Sequence, residues 1–580
     1  MNGRSAVVTF FLFVFLAILI TLQFLSMIQS DRLYDRLNDV VRVVENTGIR
    51  SGPAVQSSGE RYPGDEGDWL IWHLDAEPST LTPAHTGSEA SAAAIVSSGS
   101  IVSGTILQSL LQYDIDEYTH ILSLAESFEV SEDKLTITYK IKDDVCFSDG
   151  HPVTADDVVF SYDMIMDPMT DTATLASYLS IIKDVVKVDD KTVKFIFDEV
   201  HFKAIEYSGM MEIYPEHVYK YDDPKVFNNR ISDPVGSGPY VFEKWNVGSD
   251  IVLKRNENYW DKKPNIEKII FKFITNSKAS LQALRAHKID FTRPFPDQYH
   301  EMTMDEGFTK EFHALSYWAP GVGYFWIGWN QDRVFFKDKR VRLALTHLID
   351  RELIIEKLLK IPEAKIPTGP FYILGPQNDS DIKPWPYDPE KAKRLLDQAG
   401  WIDTDGDGVR DKNGVPFRFK YTIVAGLELH IQMVKLVKDS LASVGIDVIP
   451  EPYEGSIFFN RVKDRKFDAV NMAWGGGLAA DPFQVWHSSQ IGNRASNYVG
   501  FNVPEADKLI EKARKEFDDE KRNEMYKKFH RIIHEEQPYT FIYTRPQQRF
   551  LDKRFENVNI HMLGLNPLEW YVPKEKQKYK

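Results

Sequence analysis

The sequence predicts a mixed α/β body of several domains behind a single N-terminal membrane-spanning helix. Three observations carry that reading. The chain has 580 residues, and a domain usually takes about 100–200. Short alternating apolar runs interleave with longer stretches of helical period, and no internal repeat of about 20–50 residues marks a solenoid or propeller. Residues 6–28 are almost wholly apolar and uncharged, close to the ~20 residues a bilayer-spanning helix needs.

The elements follow in chain order. Arg4 and the amino terminus precede the apolar run, so the positive-inside rule keeps the short end in the cytoplasm. A cleavable secretory signal is the alternative for residues 1–30. The run is long for one, and Ser26-Met27-Ile28-Gln29-Ser30 offers no small-x-small cleavage site. An uncleaved anchor is the preferred reading, and either way the bulk of the chain is exported. No cysteine lies within or just after the run, which excludes a lipid-modified start. Residues 31–45 space Leu33, Leu37, Val40, Val41 and Val44 as a narrow helical stripe, read as a juxtamembrane helix with no special role, with a short stalk or a weak dimer seam as alternatives. Residues 46–68, rich in Gly, Ser, Pro and charge, read as a flexible tether. The folded body therefore begins near Trp69.

Residues 69–74 read as the opening strand. Leu135, Ile137, Tyr139 and Ile141 alternate with polar residues, as do Val193, Phe195 and Phe197. Residues 269–274 and 415–421 are further strands. Asp388-Pro389 places a cap and a first-turn proline before a helix that Gly400 ends. Residues 339–359, 504–513 and 521–533 carry helical spacing as well. Thr154 is expected to cap a helix from Ala155, with Asp157 at the capping-box position.

Composition excludes several function classes. Asp and Glu total 85 against 70 Lys and Arg, a formal charge of -15, which argues against a nucleic-acid partner. The lone Cys146 permits no intramolecular disulfide, cysteine zinc site or iron–sulfur cluster. Aromatics reach 13%, a surplus that can line a concave pocket. No G-x-S-x-G, H-E-x-x-H, phosphate-loop or G-x-G-x-x-G motif occurs, so no enzymatic role and no cofactor are expected. His530 and His534 have metal-compatible spacing but lack a third ligand, and half-buried histidines are commoner. Asp403, Asp405 and Asp407 begin like a calcium loop, yet the position of the bidentate Glu is Gly414. A polar Asp/Gly turn is the plainer reading, with Ca²⁺ the alternative.

Residues 147–161, FSDGHPVTADDVVFS, resemble the signature of bacterial extracellular solute-binding proteins of family 5, the peptide/nickel class. Further marks follow in order: Gly236-Ser-Gly-Pro-Tyr240; Asn256-Glu-Asn-Tyr259-Trp260; 283–290, with His287 where glycine is usual; 338–351; 387–401; and the Asp403 loop. The resemblance runs from about 69 to about 543. It implies a type-II periplasmic-binding fold with an extra domain, two lobes closing on a ligand about a hinge. It also implies residues 69–112, 234–322 and 536–580 as lobe I, 113–233 as the extra domain and 323–535 as lobe II. The implied role is extracytoplasmic capture of a solute, an oligopeptide first, for the permease subunits of an ABC importer. Such a protein works as a monomer and without chemistry. A sensor module on the same fold, or a non-peptide solute such as an oligosaccharide or metal chelate, remains open.

The ligand segment departs from the family pattern. In peptide-binding members a W-x-x-D aspartate pairs with the ligand's amine; here Trp474 is followed by Gly475, Gly476 and Gly477, with Asp481-Pro482 later. The expected ligand contacts are Trp474, Gly475, Gly476, Gly477, Asp481, Arg494 and Tyr498. The glycines allow close backbone approach or positive φ, and Arg494 can meet a carboxylate. Tyr317 and Trp318 are expected to pack a hinge crossing rather than face the cleft. Thr82-Pro83 stands where Asp-Pro is usual, and the Ser/Ala/Gly-rich stretch 87–104 is either a cleft rim or a lengthened loop.

Overall fold

The computed structural model describes residues 62, 64–78, 80–82, 84, 105–230, 233–492 and 495–579. The apolar run, the stalk, the stretch 87–104 and Arg494 lie outside them. Among the described residues no helix is long and apolar enough to cross a membrane. The compact unit that holds the body comprises residues 57–118 and 122–580.

Three sheets organise that body. The first has seven strands in the order Phe312–Tyr317, Gln547–Asp552, Phe291–Thr292, Trp69–Leu74, Lys268–Phe273, Asp250–Arg255 and Tyr240–Asn246. Trp69–Leu74 lies at its centre, parallel to both neighbours. The second has five: Asp447–Tyr453, Arg418–Val424, Ala469–Trp474, Tyr324–Trp329 and Tyr539–Thr544. The third is antiparallel: Ala125–Val130, Thr136–Ile141, Thr192–Phe197 and Ile182–Asp189. Its alternation buries Ile137, Tyr139 and Ile141 on one strand and Val193, Phe195 and Phe197 on the next. Helix Ala155–Met166 packs on this sheet. At its start the buried Asp157 accepts the Thr154 N–H at 2.9 Å and the Thr154 hydroxyl at 3.0 Å. The threonine hydroxyl thus points into the carboxylate, and this return bond holds the cap.

Helix Pro389–Gln398 forms as expected: Asp388 accepts from the Lys391 N–H at 2.9 Å, and Gly400 follows at φ +82°. The helix expected over 339–359 is instead broken into Lys339–Leu348, Arg351–Leu353 and the π-helical turn Ile354–Leu359. The cause is local. Ile349 is extended, and the Asp350 carboxylate caps a new start by accepting from Leu353 N–H at 2.9 Å.

A buried ion network ties both ends of the body together. The Arg554 guanidinium pairs with Asp68 and, at 2.6 Å, with Asp290, and both carboxylates are fully buried. It also donates to the Trp69 carbonyl at 2.9 Å, while Asp290 accepts from the Ile71 N–H at 2.9 Å. The opening strand is thereby held to the loop at 290 and to the C-terminal segment. Removing one partner of such a network strands buried charge. Arg554→Met is expected to lower the unfolding free energy by about 3–5 kcal/mol, measured by urea denaturation.

Burial pushes the imidazoles of His430 and His530 down to about 4. Both stay neutral in the folded chain while the unfolded chain takes up protons below its ordinary value, near 6.5. Stability is therefore complete above about pH 6.5 and falls as pH drops toward about 4, by about 2 kcal/mol per histidine at pH 5. A urea midpoint that declines between pH 7 and pH 5, with a shallower slope in His430→Leu, is the expected outcome.

Candidate ligand-binding cleft

Two neighbouring antiparallel strand pairs carry the chain between the seven- and five-stranded sheets. Phe312–Tyr317 pairs with Gln547–Asp552, ending at Tyr317 opposite Gln547. Tyr324–Trp329 pairs with Tyr539–Thr544, beginning at Tyr324 opposite Thr544. Between those two points residues 318–323 on one strand face only 545–546 on the other. The pairing cannot continue through so unequal a gap, so the ladder opens there. It is pinned on the five-stranded side by the Thr544 hydroxyl donating to the Gly323 carbonyl at 2.8 Å.

A cavity of about 720 Å³ sits at this opening, with walls from both sheets. That size falls within the range of small-ligand pockets, roughly 300–1,000 Å³. Each sheet contributes a cross-strand aromatic pair. Trp72 and Phe291 meet edge to face at 4.5 Å, and Phe325 stacks on Tyr543 at 4.8 Å. Three guanidiniums line the same cavity: Arg293 beyond the short strand Phe291–Thr292, Arg545 in the crossing, and Arg549 on the returning strand. Burial first, then the positive charge of Arg293, pushes Arg545 below its ordinary value. Burial pushes Arg549 down to about 10, which still leaves that guanidinium charged at neutral pH. Tyr317 lines the cavity as well as packing it, and burial raises its phenol. A larger depression, about 1140 Å³, is lined by residues 352–384 and His300. Its walls come almost wholly from one chain segment, so hinge motion would not enclose a guest there.

A sequence model for "Bacterial extracellular solute-binding proteins, family 5 Middle" matches residues 120–497. The chain belongs to this family. It is 31% identical over 469 residues to the oligopeptide-binding protein AppA of Bacillus subtilis, covering 78% of this chain and 84% of that one. It is 28% identical over 448 residues to heme-binding protein A of Haemophilus influenzae, covering 72% and 77%. The structure of B. subtilis AppA in complex with a nonapeptide superposes with a TM-score of 0.74 at 28% identity, covering 88% of this chain and all of that one.

The structure gives physical reasons for several family marks. Asp290 is the buried partner of Arg554. His287, where glycine is usual, takes φ +52°, the left-handed region that favours glycine. Its ring is held there by Asp552 at 2.8 Å and Glu311 at 3.2 Å. In the Asp403 loop each carboxylate serves the turn. Asp403 accepts from the N–H groups of Gly406 and Gly408, Asp407 from Val409, and Asp411 from Thr404. Oxygens of Asp403, Asp405 and Asp411 nevertheless lie within 4.8 Å of one another. Both ring nitrogens of His530 are engaged, by the Thr368 hydroxyl at 3.0 Å and the Asp379 N–H at 3.0 Å.

Of the ligand contacts expected from sequence, Gly475 and Gly476 line the cavity. Trp474 ends the strand Ala469–Trp474 half-buried, stacked on Tyr498 at 5.6 Å and on Trp326 at 6.1 Å, with its indole N–H toward the Tyr539 hydroxyl. Tyr498 is buried in the same stack. Asp481 is committed to the Arg514 guanidinium at 3.0 Å and to the Phe483 N–H at 3.1 Å. Gly477 lies just past the cavity wall, and Arg494 is outside the described residues. None of the three glycines takes a positive φ. The three arginines were not singled out by sequence. Arg545 and Arg549 sit four apart at the exit of the apolar strand 539–544, a charge placement that becomes informative only once that strand is known to be a crossing.

Two glycines at this wall separate a folding role from a binding role. A Cβ on Gly323 would lie 1.9 Å from the Trp474 carbonyl oxygen, whereas one on Gly475 would meet nothing within 4 Å. Gly323→Ala is expected to lower the melting temperature by several degrees. Gly475→Val should leave it within about 1–2 °C and weaken ligand binding by tenfold or more, because the new side chain enters the cavity. Calorimetry on both variants, with and without ligand, checks the contrast.

Proposed function

We propose that this protein captures an extracytoplasmic solute, a short peptide first, and presents it to the permease subunits of an ABC importer. The observation that carries this reading is the cavity at the interrupted strand crossing, whose walls come from both sheets. A ligand touching both walls stabilises the closed arrangement by its differential contacts. The aromatic pairs offer shape-tolerant apolar surface, and the main chain at 475–476 can pair with an extended peptide backbone. The relatives' names, oligopeptide-binding and heme-binding, support a binding role without fixing the guest.

The body built on the seven-stranded sheet and the one built on the five-stranded sheet act as the two lobes in this reading, with the 125–197 sheet as the extra domain. Residues 6–28 act as an uncleaved anchor and those from 31 to 61 as the tether, which keeps the body close to its transporter; the flexible linker expected as far as 68 is cut short, because 64–68 pack on the body and Asp68 is buried against Arg554. A monomer suffices for this.

Binding is tested on the full chain in detergent by thermal shift with peptide mixtures. A receptor gains stability with ligand by mass action, about 2.7 kcal/mol at a hundredfold excess over Kd. A melting temperature unmoved by peptides but raised by haem or a nickel chelate would replace the peptide with that guest. N-terminal sequencing of protein from native membranes checks the anchor, with a start ahead of residue 6 expected. A start beyond Ser30 refutes it.

A further inference from the structure

The cavity's charge has a sign. Among the described lining residues there are three arginines and no aspartate, glutamate, lysine or histidine. This stands against a chain of formal charge -15. Of the three, Arg549 is the most deeply placed. Its two terminal nitrogens donate to the Gln548 carbonyl at 2.9 Å and the Gln547 side-chain oxygen at 2.7 Å, both neutral acceptors. The Tyr317 phenol is the first group to act on it electrostatically, and the carboxylate that does so is Asp75, whose side chain is 63% exposed and lies beside His73. Two other buried guanidiniums are matched by carboxylates, Arg554 by Asp68 and Asp290 and Arg342 by Glu536, while Arg351, like Arg549, is held by neutral oxygens, the carbonyls of Phe541 and Trp385. Asp481, the acid nearest in sequence to the cavity's glycine wall, is already paired with Arg514. Clustered like charges in a half-dry site are costly unless an anion joins them, and the planar guanidinium fork suits carboxylate oxygens.

We infer that the cleft selects an anionic guest, a ligand carrying two or more carboxylates, which within the peptide reading is an acidic peptide. This rests on the assignment of the cavity as the ligand site. Arg545 lies in the crossing and Arg293 and Arg549 on the seven-stranded side. A polycarboxylate held by all three would therefore span the hinge while its remainder lies along the aromatic pairs.

The test uses the full chain in detergent with triglutamate, trialanine, trilysine and citrate, read by isothermal titration and thermal shift at about 50 mM and 500 mM salt. The expected result is triglutamate binding at least tenfold tighter than trialanine or trilysine, an advantage that shrinks at high salt. Arg545→Gln and Arg293→Gln should each weaken triglutamate about tenfold and leave trialanine within twofold, with Arg545→Lys intermediate. Unliganded melting temperatures confirm that the variants fold. Equal binding of the three peptides, or arginine variants that leave their ratio unchanged, overturns the charge inference while the peptide reading stands. If no peptide binds but citrate does, and Arg545→Gln removes that binding, the peptide reading falls and the anionic guest stands. If neither binds, both fall.

Discussion

The interrupted strand crossing is the constraint on which the rest depends. Two antiparallel strand pairs are the only covalent path by which 324–544 leaves the seven-stranded sheet and returns to it. Where residues 318–323 oppose 545–546, the ladder cannot close, and its backbone groups must find other partners. One is visible in the Thr544 hydroxyl on the Gly323 carbonyl, another in the Gly321 N–H on the Gly476 carbonyl. The second bond brings the glycine wall of the five-stranded sheet to the crossing. The mismatch thus creates both the place where the chain can bend and the opening a guest can enter. A ladder continuous through this point would have neither.

Around that opening the two sheets supply different chemistry for reasons of position. The aromatic pairs are cross-strand neighbours, Trp72 opposite Phe291 and Phe325 opposite Tyr543, the second beside a register shift after which Trp326 faces Phe541, so the strands place them before any ligand arrives. The arginines lie at strand ends and in the crossing, where long side chains reach the cavity without interrupting a strand. Arg293 and Arg545 both act on Tyr543, holding back the upward push that burial gives its phenol. Apolar grip and charge are therefore adjacent, and the guanidiniums lie beside aromatic surface rather than among carboxylates.

What the sequence reveals follows the range of the interactions concerned. Strands with strict alternation, such as Thr136–Ile141 and Thr192–Phe197, and the capped helix Pro389–Gln398 are local in origin and legible from local pattern. The break after Leu348 was legible only in part. Its helical spacing continues through Leu359, and the competing signal is a single carboxylate at Asp350 that caps a second start. The family marks are legible as marks, but the buried pairing of Asp290 with Arg554 joins residues far apart in the chain, and periodicity carries no trace of it. The same holds for the cleft. Gly475 and Gly476 announce themselves as a run of glycine. Arg293, Arg545 and Arg549 are ordinary charges until the topology brings 291–293 and 545–549 to one cavity.

The contacts made away from the hinge bear on how firmly the two bodies hold together. The segment 198–203, which follows the 125–197 sheet, touches the five-stranded-sheet body through Glu199 with Lys515 at 2.7 Å, the Phe202 N–H on the Arg514 carbonyl at 2.9 Å, and the Arg522 guanidinium over the Phe202 ring at 4.5 Å. Asp481 enters here, because it holds the Arg514 side chain whose backbone receives Phe202. Exposed ion pairs contribute about 0–1 kcal/mol, and a cation over an aromatic ring about as much. A rim made of such contacts orients the two bodies without locking them. In the proposed reading, a guest that satisfies guanidiniums at the crossing acts at the point where the two sheets are joined, and so bears directly on the arrangement of the bodies built on them.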